Sequence, residues 1–520
     1  MPKASHSYDG AHGWNTEWPR VREIGENDFL MTMHGSLWRF PKTFSSTNSA
    51  GISPRSNYLK VIGDFARWGN HVIFGCDDTA KAEFLNKREA KGEIAAAQSQ
   101  SNLWFVEPDQ IDTFGPEIGR GMVWETENVA ANTPSDSFLF NGYDQRCLHI
   151  THSNNSDVDI VLEIDIAGNG QWKILREISL KPSSYVSFVK SDPGTWIRLR
   201  TKQDVKDITA AFSYRNDDKR STAADPIFDG IARPGQELTG GIVRALDENA
   251  RTMAFAATDA SGASIGYYEL NEKLELEPII KETEPAWTQE HAAIPKNDFL
   301  VIDEASVLFL DQDGKRWRLP KGEIGKHPLG NYRVAREIVT ERDIFNANGT
   351  IYELPARNAG GFIKVRPIAT HNRLIHDLCG YRGLLIMSGV SKDAPTSNKH
   401  IIRSTDGKTA IWAGNIDDLW KLGKARGIGG PWNDSKVKSN TKSDPYLMTG
   451  YDKKLLTLTS SAPTTITAEI DITGNGDWAP YMSFKVTNQT THSFPDSFSA
   501  YWIRFHSDKD CTASAILTYE

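Results

Sequence analysis

Two groups of basic, imidazole and amide side chains stand some three hundred positions apart in this 520-residue chain. The first is Arg55, Asn57, Tyr58 and Lys60, followed by Asp77, Asp78, Lys87 and Arg88. The second is His371, Asn372 and Arg373, followed by Lys399, His400 and Arg403. Cations beside imidazoles and two adjacent carboxylates, on a chain of net charge -8, form the pattern of a pocket for a small anionic ligand. The same side chains could instead tie neighbouring strands together, which is common for polar residues at strand entrances.

Whether the two groups can meet depends on the scaffold, and the scaffold is duplicated. Trp104, Trp124 and Tyr143 return 308 positions later as Trp412, Trp432 and Tyr451, the last pair inside Ser135–Asp144 and Ser443–Asp452. Glu163-Ile-Asp-Ile-Ala-Gly-Asn-Gly-Gln-Trp172 returns 306 positions later as Glu469-Ile-Asp-Ile-Thr-Gly-Asn-Gly-Asp-Trp478, and Trp196-Ile-Arg198 as Trp502-Ile-Arg504. Upstream, Asn27–Leu30 echoes Asn297–Leu300 and Trp38–Lys42 echoes Trp317–Lys321. The repeated modules span about residues 1–214 and 297–520, with a linking segment at about 215–296.

Each module is written in strands. Asp159–Ile166 alternates apolar and polar residues and stops at Gly168-Asn169-Gly170, a hairpin signal. Short glycine turns closed by an aromatic recur at His34–Trp38, Asp313–Trp317 and Asn348–Tyr352, with a looser copy at Ser404–Trp412. Three blades from each module and one from the linking segment predict an all-β fold, a single seven-bladed β-propeller over residues 1–520. Two separate β domains are the alternative. Thr79–Gln98, rich in Ala, Lys and Glu, predicts a small helical insert. In a propeller, Gly63–Trp68 and His376–Tyr381 would be equivalent innermost strands, and the loops around them would gather both polar groups on one face.

Other chemistries are disfavoured. The charge is spread along the chain, so nucleic acid finds no basic footprint, and no apolar run is long enough for a membrane span. The first residues show no signal-peptide pattern. Four widely spaced cysteines and His371 with His376 fit no zinc spacing, so no metal is expected from the residues. The Gly-Asn-Gly turns match no phosphate-binding loop.

The duplicated module, the Asp-box-like hairpins and the histidine- and arginine-bearing loops resemble the seven-bladed carbohydrate-active propellers that include L-rhamnose-α-1,4-D-glucuronate lyases and related α-L-rhamnosidases. The resemblance is architectural, over most of the chain, and carries no short motif. It implies a carbohydrate ligand, a rhamnose-glucuronate type of glycan end, a secreted or periplasmic setting and, in some members, calcium. Lyase chemistry removes the proton at C5 of a glucuronate once its carboxylate is neutralised. His371 with Arg373, or Tyr58 with Arg55 and Lys60, supplies a base and a cation. A glycosidase needs two flanking carboxyl groups, and Asp77 and Asp78, as neighbours in sequence, would point apart. Elimination therefore ranks above hydrolysis, and a non-catalytic glycan- or protein-binding propeller is the alternative.

Overall fold

Glycine turns set the architecture. At all four of the aromatic-closed turns the chain reverses into an antiparallel hairpin: Phe29–Met33 with Ser36–Phe40, Val307–Leu310 with Arg316–Leu319, Arg342–Ala347 with Thr350–Pro355, and Ile401–Arg403 with Ala410–Gly414. His34 and Gly35, and likewise Asn348 and Gly349, both take positive φ, the two-residue turn whose twist matches that of the flanking strands. The computed structural model describes residues 1–4, 18–78, 101–246, 252–296, 298–324, 327, 330–339, 342–355 and 359–520. The protein is all-β, and the helix described is Glu284–His291. The predicted insert at 79–98 lies outside the described residues.

Successive strands pair as meander sheets in residues 20–57, 62–106, 238–278 and 335–370. Of the segments expected to be innermost strands, Ile62–Trp68 and Leu378–Tyr381 are strands, each in a hairpin with the strand after it. The linking segment forms one sheet, to which Val390–Ser391 adds an edge strand.

The second half of each module departs from the blade pattern. Residues 118–215 fold into two sheets, one pairing Ser183–Phe188, Gln145–Thr151, Val205–Arg215 and Ile118–Val129 in that order, the other Trp172–Leu180, Val158–Asp165, Trp196–Thr201 and Phe138–Leu139. Residues 427–519 repeat both orders, and Arg316–Leu319 joins the second sheet through a parallel pairing at Tyr446. These crossed orders are those of a β-sandwich, whereas a propeller blade is a simple meander. Thr464–Asp471 shows the reason in its residues: Thr464, Ile466, Ala468 and Ile470 alternate inward into a core shared with Leu456, Leu458, Ala515 and Leu517 of the facing sheet. Phe138 stacks on Phe212 across the first sandwich, with ring centroids 4.9 Å apart.

The upstream echo also resolves differently. Tyr58 N–H donates to the Gly35 carbonyl and His371 N–H to the Gly349 carbonyl. Ser36 pairs with Asn57 as Thr350 pairs with Thr370. The structural counterpart of Trp38 is therefore Tyr352, and Leu300–Leu319 is additional to the second module.

Each sandwich docks on the preceding meander sheet by the same device. Asp165 accepts from Gly170 N–H and Asp471 from Gly474, Asn475 and Gly476 N–H, which fixes the Gly-Asn-Gly loop. In the first copy Gly168 carbonyl takes the Ser49 amide and hydroxyl, and Trp196 Nε1 donates to Ser49 Oγ at 2.8 Å. In the second Trp502 Nε1 donates to Ile363 carbonyl at 2.8 Å. Gly474 has φ of +69°, and a Cβ there would lie 2.8 Å from the Tyr501 ring and 3.0 Å from Ile363 carbonyl, whereas Gly476, φ +92°, faces open space. Gly476→Ala should therefore cost about 1–2 kcal/mol of left-handed strain, and Gly474→Ala that strain plus roughly 1–3 kcal/mol of overpacking. Urea denaturation of the two variants checks the order; equal losses would remove the docking role of Gly474.

Candidate functional site

The segments that carry the two sequence-predicted groups pack into one core, where Arg55, Asn57, Tyr58, Lys60, His371 and Arg373 are buried, whereas His400 is half-buried and Arg403 exposed. Residues 24–114 and 338–422 contribute to one hydrophobic cluster, and Leu59 and Lys60 N–H both donate to the Asp417 carboxylate, at 2.7 and 2.9 Å. Burial pushes Asp417 up to about 6 against these donors. Lys60 Nζ donates to Asp78 Oδ1 at 2.7 Å and to Gly383 carbonyl at 2.8 Å, with both charged side chains sealed from solvent. Arg55 is clamped between Glu26 and Asp112, and Asn57 bonds Ser36 and the carbonyls of Pro116 and Ile118. Arg373 donates to Asp229 and Ile231 carbonyl. Arg403 donates to Ala394 carbonyl, and His400 Nδ1 lies 2.7 Å from Ala413 carbonyl with its ring on Trp412. Asn372 is half-buried and Asp77 ends the strand His71–Asp77, its N–H on Val61 carbonyl. Lys87 and Arg88 lie outside the described residues.

The proposed bases are corrected most directly. Tyr58 and His371 are the same position in the two modules, and both are buried. His371 Nδ1 accepts Arg373 N–H at 3.0 Å, and burial together with the Arg373 charge lowers the imidazole from 6.5 to about 3. Desolvation won because each loop must satisfy its own main-chain and charged groups before it can serve a ligand.

An open cleft lies elsewhere, between the sandwiches. Its volume is about 560 Å³. Strand Ile118–Val129 of the first sandwich forms one wall, and residues 472–473 and 499–501 of the second form the other. Lys3 and Arg120 exchange main-chain hydrogen bonds at 2.8 and 3.0 Å, which places both side chains at this wall. The Arg120 guanidinium lies 4.5 Å and Lys364 Nζ 5.7 Å from the centroid of the Tyr501 ring. Tyr501 hydroxyl donates to Lys364 carbonyl at 3.1 Å, and burial pushes this phenol up to about 12 despite Arg120. Glu125, Glu127 and Asp136 line the same cleft as exposed carboxylates, with Trp124 and Phe212 as apolar wall. No group of metal-ligating side chains occurs among the described residues.

Sequence reasoning missed this cleft because its cations are scattered over residues 3, 120 and 364. One signal was legible: at the offset of 308, Arg120 aligns with Ile428, a charge present in one copy only.

No family model and no curated protein matches the chain. Among solved structures, the SPBc2 prophage-derived protein YomS is similar at 12% identity over 19% of this chain and 93% of its own, with a TM-score of 0.16. The PBSX exported protein XepA follows at 6% identity, 77% and 85% coverage and 0.16. A glycoside hydrolase of family 32 from Bifidobacterium adolescentis matches at 10% identity, 73% and 98% coverage and 0.12. Scores this low fix neither architecture nor function.

Two outcomes test the interior assignment. Lys60→Met should cost about 3–5 kcal/mol by stranding the Asp78 carboxylate, and Lys60→Met with Asp78→Leu should recover most of it; equal losses in chemical denaturation would mean the pair is not coupled. For His371, whose folded pKa lies below its unfolded value, the stability is fully present above pH 6.5 and is lost as pH falls toward 3. His371→Gln should accordingly flatten the acid limb of the stability curve, and an unchanged limb would place the titration elsewhere.

Proposed function

We propose that the protein binds an anionic carbohydrate in the cleft between its sandwiches and does not turn it over. The carrying observation is the make-up of the wall: half-buried Lys3, Arg120 and Lys364 near the Tyr501 ring, with exposed Glu125, Glu127 and Asp136 in the same cleft. Cations suit a uronate carboxylate, carboxylates suit sugar hydroxyls, and exposed Met122 offers apolar surface for a ring face. The volume falls within the range of about 300–1,000 Å³ usual for small-ligand sites. The reading needs no seven-bladed ring, since the ligand lies between sandwiches and not on a propeller axis.

Elimination requires a base within reach of the substrate. No histidine lines the cleft among the described residues, and Tyr501, pushed up to about 12, keeps its proton at neutral pH. Neither of the base types that the lyase reading assigned, histidine or tyrosine, is thus available at the cleft, which favours binding over that elimination.

Calorimetric titration with glucuronate oligosaccharides and their neutral counterparts should show saturable binding of the acidic series alone, weakened by salt. Arg120→Met should reduce affinity about 10-fold or more, the scale of one charge-assisted contact. Equal affinity for neutral sugars would defeat the anionic reading, and appearance of an unsaturated uronate would restore the lyase.

A further inference from the structure

Next to the cleft lies a second, much smaller cavity of about 50 Å³, which shares Lys3, Arg120, Ser213, Thr449 and Ser499 with it. Five cationic side chains line it, Lys3, Arg120, Arg215, Arg366 and Lys454, against a single carboxylate, Asp218. That carboxylate is already committed to Arg220 at 2.8 Å. Other acids nearby have partners of their own: Glu353 lies between Arg342 and Arg366, Asp452 between Arg215 and Lys424, Asp496 pairs with Lys453, and Asp217 accepts from Gln145. The positive charge is thus under-compensated, in a place where burial makes each uncompensated charge costly.

Arg366 identifies the missing partner. Its side chain is 3% exposed and its Nε donates to Glu353 at 2.5 Å, but both terminal nitrogens are buried and bond no group among the described residues. Arg215 Nε is left in the same condition. Guanidinium nitrogens without an acceptor ask for one that carries several oxygens in a small volume. We propose that this cavity is a binding site for one small oxyanion of the phosphate or sulfate class, held chiefly by Arg366 and Arg120 at the junction of the two sandwiches. Sugar rings are too large for it, so the site is separate from the carbohydrate reading of the cleft. Burial and the neighbouring Arg366 lower Arg120, and burial likewise lowers Arg215 and Lys454, a strain that a bound anion relieves.

The repeat argues that the cluster is no requirement of the scaffold. Gly142 presses on Pro54 as Gly450 presses on Pro367, so Arg366 stands where the first module has Ser53. Arg120 stands where the second has Ile428. Each of the two charges is thus dispensed with in one copy of the module, Arg366 in the first and Arg120 in the second.

The test follows thermal unfolding of the full chain in phosphate-free buffer. Inorganic phosphate, and separately sulfate, should raise Tm along a saturating curve at concentrations where chloride of matched ionic strength does nothing. Arg366→Gln, which leaves Glu353 paired with Arg342 and does not touch the open cleft, should abolish the saturating part. Should that variant not fold, the phosphorus resonance of phosphate added to the unaltered protein decides: broadening reversed by sulfate supports the site, and an unbroadened line overturns it. A merely gradual, unsaturating rise in Tm, the ordinary effect of salts excluded from protein surfaces, also overturns it, as does an Arg366→Gln variant that keeps the full response. Oligosaccharide titration separates the two readings, since Arg366→Gln should leave glycan binding by the cleft unchanged, and failure of the unaltered protein to bind glycan leaves its anion response intact.

Discussion

Each sandwich is held by an indole N–H and a left-handed glycine loop pressed against the backbone of the sheet before it. A main-chain carbonyl taken out of water needs a donor, and the tryptophan supplies it without adding charge. Trp502 meets Ile363 carbonyl directly, while Trp196 works through the hydroxyl of Ser49, which also donates to Gly168. The acceptor differs between copies, but the donor and the glycine do not. Asp165 and Asp471 complete the device by tying the loop amides, so the glycines keep the conformation in which they can approach. The cleft follows from this contact, because Lys364 and Thr473 join across the second docking interface, Nζ to carbonyl at 2.6 Å, and both line its wall.

The interior of the molecule carries charge in closed sets. Lys60 with Asp78, and Arg333 with Asp377, are pairs in which both members are inaccessible to solvent. Such pairs contribute little net stability over apolar residues of the same shape, but losing one partner is severe, so they act as constraints on which loop meets which sheet. Lys60 illustrates this. Its ammonium reaches Gly383 of the second module while its own amide is held by Asp417, and the two halves of the chain are locked at one register.

This is also why the sequence was legible in some places and misleading in others. Hairpins were legible because the residues that permit positive φ are few, and His34-Gly35 and Asn348-Gly349 stand where the chain turns. The duplication was legible because tryptophans and glycines in docking contacts tolerate little change. Strand order was not: alternation tells which face of Val158–Asp165 points inward but not whether its neighbour is Trp172–Leu180 alone or also Trp196–Thr201, thirty residues on. Meander and sandwich present the same local pattern, and only non-local pairing separates them. Tyr58 and His371 misled for a related reason. A polar residue following a strand reads alike whether it meets solvent or a buried carbonyl, and burial is decided by the other module.

A duplicated chain offers its own control for separating scaffold from site. Positions retained in both copies, such as Glu163 with Arg198 and Glu469 with Arg504, bond each other at the same 2.7 Å and stack their arginines on Trp172 and Trp478. Their preservation follows from holding a hairpin against its sheet, and no ligand is needed to explain it. Side chains present in one copy and absent in the other cannot owe their presence to the shared scaffold alone. Arg120 opposite Ile428, Arg366 opposite Ser53 and Tyr501 opposite Thr195 all fall at a single junction, although they lie far apart in sequence. Burying charge without a structural need is unfavourable, so its concentration in one place is better accounted for by a ligand that compensates it. The asymmetry between otherwise equivalent halves is thus the physical reason to look for function where the sandwiches meet.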